Sequence, residues 1–214
     1  MKQADDILFA TVDSLPSLDK EKAAKEILAL PESYSWWDTY RGVKMIPLMT
    51  KNGMSAKEGS SNSRQGEFSW TEYAPKTLTD WFDDYAFAWL GSKSRVMALI
   101  TLPGVSMQPH VDCNRNELNT MQHKFRIVLQ GKTSTLYWLT DKGIVNAPDT
   151  DKPFIMDGGW PHSMENTTDE IKVTIALGAP WNGKTDYNGD ITLIQNRNDF
   201  VMPNDMDHLF RDNR

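Results

Sequence analysis

Apolar and polar positions follow two different periods along the chain. In "DKEKAAKEILAL" (19–30), Ala23, Ala24, Ile27 and Leu28 fall on one side of a helix. Asp19 is placed to cap it and Pro31 to stop it. "TLTDWFDDYAFAWLG" (77–91) sets Leu78, Phe82, Tyr85 and Trp89 at i, i+4, i+7 and i+11, with Gly91 as the stop. This spacing predicts a helix whose aromatic face enters the core. "ILFATV" (7–12) and "YRGVKMIPLMT" (40–50) predict strands. The stretch 51–69, rich in Gly, Ser and Asn, predicts a mobile loop and a candidate lid.

From residue 94 the period falls to two. "RVMALITL" (95–102), "KFRIVLQG" (124–131), "TSTLYWLT" (133–140), "KPFIMDGG" (152–159) and "EIKVTIALG" (170–178) predict short strands separated by turn residues, and "DITLIQ" (190–195) adds another. No helical pattern intervenes, so parallel βαβ units are not expected. Helices early and strands late predict an α+β chain. The expected architecture is a double-stranded β-helix (jelly roll, cupin-like) with N-terminal helices packed on one sheet. We read residues 1–214 as one domain: helical and strand support over 1–93, the jelly-roll core over 94–181, and a C-terminal extension over 182–214.

The alternation also sorts charges. In "EIKVTIALG", Ile171, Val173, Ile175 and Leu177 share one face, and Lys172, Thr174 and Ala176 share the other. In "FRIVLQ", Phe125, Ile127 and Leu129 oppose Arg126, Val128 and Gln130. If the apolar faces pack on helices, Lys172 and Arg126 point into the barrel. A buried lysine is costly without an anion, so an interior Lys172 beside Thr174 asks for a carboxylate ligand.

Composition narrows the function classes. The net charge of −6 gives no global field for phosphate backbones, so no nucleic-acid partner is expected. The single cysteine, Cys113, excludes an intrachain disulfide and a cysteine-rich zinc site. No apolar run reaches ~18–20 residues and the first residues carry acids early, so neither a membrane span nor a signal peptide is expected, and we place the chain in the cytoplasm.

Only four histidines are present, and one lies in "QPHVDC" (108–113). In an extended segment His110 and Asp112 point to one side. Alone, the pair reads equally as a polar turn. His162, after "FIMDGGWP", is the natural third ligand if the strands curl back. Two histidines and one carboxylate on one face of an ion leave three positions open, the arrangement of non-haem Fe(II) oxygenases. Cys113 would point away and reads as packing. His123 reads as a loop histidine or a pocket residue, and His208 as exposed. Asp157 reads either as orienting His162 or as a turn acid. Trp160 reads either as a wall of the site or as a core aromatic, and Asn166 as a bridge between backbone groups.

The segments "RVMALITLPGVSMQPHVD", "FRIVLQG" and "FIMDGGWPHSMENTTDEIKVTIALGAPW" together resemble the Fe(II)/2-oxoglutarate-dependent dioxygenase superfamily, in particular its aspartyl/asparaginyl β-hydroxylase-like branch. The resemblance covers residues 95–181. It implies that His110, Asp112 and His162 ligate Fe(II), that Lys172 and Thr174 hold the distal carboxylate of 2-oxoglutarate, and that Arg126 lines the cosubstrate pocket or the substrate entrance. It further implies hydroxylation of an Asp/Asn-like or prolyl side chain, free or in a peptide, with O₂ as co-reactant and succinate and CO₂ as co-products. Two positions depart from the pattern. Many members carry Arg where this chain has Lys172, and the β-hydroxylase branch usually has a histidine where this chain has Val128. The alternative is a cupin-type protein that binds a metal or ligand without catalysis, or works without 2-oxoglutarate.

Overall fold

A computed structural model describes residues 6–39, 42–52, 67–117, 123–180 and 190–210. The stretch 53–66, which includes most of the candidate lid, lies outside the described residues. The chain opens with β1 (Ile7–Val12), followed by α1 (Lys20–Leu28). The Asp19 carboxylate accepts from the Lys22 amide and caps α1, as the sequence predicts. Ala23, Ala24 and Ile27 are buried, while Leu28 remains partly exposed. Then come β2 (Trp36–Asp38), β3 (Val43–Lys51) and β4 (Phe68–Trp70).

The predicted second helix is three pieces in one run: α2 (Lys76–Trp81), a π-helical turn over Phe82–Ala86, and α3 (Phe87–Leu90). Gly91 closes it in the left-handed conformation at φ 78°. The π turn corrects the predicted face. Its wider winding rotates the later positions, so Ala86 and Phe87 are buried and Tyr85 is 47% exposed. Phe82 keeps its inward place against Phe125, Trp81 and Phe87.

The remaining strands are β5 (Val96–Thr101), β6 (His123–Gln130), β7 (Leu136–Thr140), β8 (Gly143–Asn146), β9 (Phe154–Asp157), β10 (His162–Met164), β11 (Lys172–Pro180) and β12 (Ile191–Asn196). A 3₁₀ turn over Thr133–Thr135 replaces the predicted start of β7. Among the described residues the strands form two antiparallel sheets. The large one runs β12-β1-β9-β6-β11-β5-β3-β2, with β4 paired to β3, and the small one runs β10-β7-β8. Backbone bridges from Ser106 and His110 to Glu165 and His162 extend the small sheet. This is a double-stranded β-helix with the helices on the outer face of the large sheet.

The two sides of the large sheet divide as the alternation predicts. Phe125, Ile127, Leu129, Val173, Ile175 and Leu177 join the helix residues Ala24, Ile27, Leu78 and Phe82 in one buried cluster. A second cluster, with Phe9, Trp138, Phe154 and Met156, fills part of the space between the sheets. What remains between them is a cavity of about 380 Å³. That volume falls in the ~300–1,000 Å³ range of small-molecule sites. No helix among the described residues is long and apolar enough to cross a membrane.

Candidate metal centre

His110, Asp112 and His162 are all buried and all line this cavity. Their ligand atoms lie within 4.8 Å of one another. His110 Nε2 stands 3.6 Å from Asp112 Oδ1, and His162 Nε2 stands 3.9 Å from Asp112 Oδ2. The backbone brings them together. His110 and His162 exchange both amide bonds across the bridge, at 2.9 and 3.0 Å. The Asp112 amide donates to the Gly158 carbonyl at 2.8 Å. A Cβ on Gly158 would come within 3.0 Å of Asp112 Oδ2, so the position admits glycine best.

The hydrogen bonds select the tautomers. His110 Nδ1 meets the Gln108 carbonyl at 2.9 Å, and His162 Nδ1 meets the Trp160 carbonyl at 2.8 Å. A carbonyl only accepts, so each Nδ1 carries the proton and each Nε2 presents a lone pair to the cavity. Burial pushes the His162 pKa down to about 3, with His110 acting in the same direction, so the ring is neutral at physiological pH. Burial alone would raise the Asp112 carboxyl. The surrounding His110, His162 and Arg126 reverse this and hold it well below the usual carboxylate range. Arg126 Nη2 lies 3.3 Å from Asp112 Oδ2. Two imidazoles and one carboxylate, close-set and facing a cavity, are a donor set suited to a divalent ion such as Fe(II).

The alternate side of this segment is apolar. Val111 and Cys113 pack on Leu209 and Phe210, and the Val111 amide donates to the Leu209 carbonyl at 3.0 Å. Cys113 is thus packing, and the C-terminal segment clamps the backbone that carries His110 and Asp112. His208 is exposed. His123 differs from the loop expectation: it opens β6, opposite Asp157, and is buried but does not line the cavity.

Lys172 is 2% exposed and lines the same cavity. Its ammonium donates to Thr135 Oγ1. Burial pulls its pKa down to about 7, with Asp149 acting the other way. The neighbouring Thr174 hydroxyl lines the cavity and has no hydrogen-bond partner among the described residues; the buried Thr101 hydroxyl, opposite Lys172 in register, has none either. A buried cation beside such hydroxyls is a fitting cradle for a carboxylate. Asn166 sets the start of β11. Its amide donates to the Thr101 and Glu170 carbonyls, and its Oδ1 accepts from Thr168.

Asp157 and Trp160 act behind the site. Asp157 is fully buried, and its Oδ1 accepts from the Gly159 amide at 2.8 Å. The atom that meets the His162 ring is the Trp160 carbonyl, so Asp157 reaches the histidine through the turn. Trp160 belongs to the core between the sheets and is not among the cavity-lining residues. Arg197, just after β12, ion-pairs with Asp157 at 3.1 Å and lies 5.3 Å over the Trp160 ring. Sequence reasoning missed Arg197, because its partner is forty residues upstream. Removing one partner of a largely buried ion pair removes a charge that offsets the burial of the other. We expect Arg197→Met to weaken Co(II) binding about tenfold or more through the loosened turn. It should also destabilise the fold by about 2–4 kcal/mol. Equilibrium titration and denaturant unfolding measure the two effects.

No protein-family model matches the sequence, and no curated protein matches it. Among solved structures, the chain is similar to a prolyl-4-hydroxylase from Pseudomonas putida, at 14% identity over 80% of this chain and 92% of that one, TM-score 0.46. It is similar to an oxidoreductase of the 2OG-Fe(II) oxygenase family from Burkholderia pseudomallei, at 10% identity over 76% and 80%, TM-score 0.45. It is also similar to the non-heme alpha ketoglutarate dependent epimerase SnoN from nogalamycin biosynthesis, at 14% identity over 80% and 77%, TM-score 0.45.

Proposed function

We propose that this chain is an Fe(II)- and 2-oxoglutarate-dependent oxygenase that hydroxylates an amino-acid side chain, free or in a peptide. The observation that carries the reading is the buried His110, Asp112 and His162 set facing a cavity that also holds a buried Lys172. The narrower choice of an Asp/Asn-like or prolyl side chain rests on the sequence resemblance around these residues. Fe(II) with 2-oxoglutarate would supply O₂-dependent C–H hydroxylation, one oxygen atom of O₂ going to the substrate and the other to succinate as CO₂ is released.

The chain's own residues have distinct tasks. His110 and His162 offer Nε2 lone pairs because their Nδ1 protons are held by backbone carbonyls. Asp112 supplies the one negative charge, and Arg126 holds its carboxylate in place. Lys172 and Thr174 receive the distal carboxylate of the cosubstrate, which fixes its orientation relative to the triad. The apolar walls, with Met97, Met107, Leu136 and Met164 among them, limit water in the cavity.

Lys172 gives the reading a pH signature. Its free-site pKa is about 7, and a bound carboxylate raises it. Binding therefore takes up a proton above neutrality. We expect the 2-oxoglutarate affinity to be level below about pH 7 and to fall by up to about tenfold per unit above it. Calorimetry on Mn(II)-loaded protein at several pH values checks this, and a profile flat to about pH 9 contradicts a role for Lys172. The reading as a whole is tested by mass spectrometry of amino acids and peptides incubated with protein, Fe(II) and 2-oxoglutarate. It expects the gain of one oxygen atom on a substrate.

A further inference from the structure

Fe(II) and 2-oxoglutarate account for Asp112, Lys172 and Thr174. Three more cationic side chains line the same cavity: Arg95, Lys124 and Arg126. They converge on one dipeptide of β11. Arg126 Nη1 donates to the Leu177 carbonyl at 3.1 Å, and Lys124 Nζ donates to the Gly178 carbonyl at 3.4 Å. Arg95 crosses the face of Gly178, its Nε 2.7 Å from where a Cβ would stand. Only glycine leaves that space. Lys172 stands six residues away along β11, which puts the two backbone positions roughly 20 Å apart at ~3.3 Å per residue. The cavity thus has two cationic ends with apolar wall between them, formed by Met45, Met97 and Leu99.

We infer that the primary substrate carries an anionic group, a carboxylate or a phosphate, and that Arg95 and Lys124 receive it over the Leu177–Gly178 backbone. This rests on the oxygenase reading for the position of the cosubstrate, and it deepens that reading by naming the substrate class. Arg126 is divided between the Asp112 carboxylate and the Leu177 carbonyl. An arginine fork and an ammonium on one wall give charge-assisted hydrogen bonds to oxyanions, and they distinguish an acid from its neutral isostere. The anion at this end and the apolar body along the methionines orient the substrate toward the triad.

The test uses matched probes on the full chain, loaded with Mn(II) and saturated with 2-oxoglutarate so that the cosubstrate position is filled. Calorimetry compares hexanoate with hexanamide, and hexyl phosphate with hexanol. The inference expects the acid of at least one pair to bind about tenfold or more tighter than its neutral partner; which pair shows it separates carboxylate from phosphate. Arg95→Gln should reduce that preference to about threefold or less, and Gly178→Ala should do the same by displacing the guanidinium. Equal binding of acid and neutral partner in both pairs overturns the inference, as does a preference that survives Arg95→Gln. A loss of 2-oxoglutarate affinity in Arg95→Gln comparable to that in Lys172→Met also overturns it, because the cluster would then be the cosubstrate site. If 2-oxoglutarate fails to bind the native protein, the oxygenase reading fails by itself. The acid–neutral comparison on metal-free protein still decides whether an anion site exists.

Discussion

Replacing His110 by alanine is expected to lower 2-oxoglutarate turnover by about a thousandfold or more while the fold survives. The His110 ring offers one of three candidate ligand atoms, and a metal centre that loses a ligand loses both affinity and the geometry of its open positions. The structural cost is small. The backbone bridge to His162 does not involve the ring, which meets the Gln108 carbonyl through Nδ1 and turns Nε2 toward Asp112. Loss of such a bond costs about 1 kcal/mol, or about 2–4 °C for a chain of this length. Turnover and thermal unfolding measured on the same preparation separate the two effects. A variant that keeps native turnover would exclude the triad, and one that unfolds would give His110 a structural role.

Lys172→Met is expected to lose 2-oxoglutarate affinity by about a hundredfold or more and to stabilise the metal-free protein. The affinity loss follows from stranding a buried carboxylate without its cation. The gain in stability follows from the sign of the pKa shift. Lys172 titrates near 7 in the folded chain and near 10.5 in the unfolded one. Between those values the unfolded chain holds more protons, so the native protein gains stability from this residue as pH rises. The burial cost is therefore largest at and below pH 7, and methionine removes it. We expect a gain on the order of 1–4 kcal/mol near neutral pH that shrinks toward pH 10. Denaturant unfolding across that range measures it. A destabilised variant with unchanged 2-oxoglutarate binding would contradict the assignment.

The period-two alternation after residue 94 carried most of the architecture. Phe125, Ile127 and Leu129 against Arg126 and Val128 is enough to state which face meets the helices, because a strand has only two faces. The same rule assigned Lys172 and Thr174 to the interior. It also held an unused signal: Lys124 lies two residues before Arg126, and Arg95 two before Met97, so both share the cavity face. The misplacement of Tyr85 has a local cause, since Tyr85 lies within a π turn that leaves no mark in an i, i+4 pattern, while Trp89 beyond it still packs on Phe125. Strands as short as β2, β8 and β10 offer too few positions to show a period. The clamp of Leu209 and Phe210 on Val111 and Cys113, and the Arg197–Asp157 pair, join distant segments of chain. Their composition is that of ordinary loops, so only the fold reveals them.

The central claim is that the triad and Lys172 together turn over 2-oxoglutarate. The direct measurement is release of labelled CO₂ from 2-oxoglutarate labelled at its first carbon, with Fe(II) and O₂, in native protein and in His110→Ala. The account predicts O₂-dependent release in the native protein and none above background in the variant. Folded native protein that binds Fe(II) and 2-oxoglutarate yet releases no labelled CO₂ would contradict it and leave a cupin-type binding protein in its place.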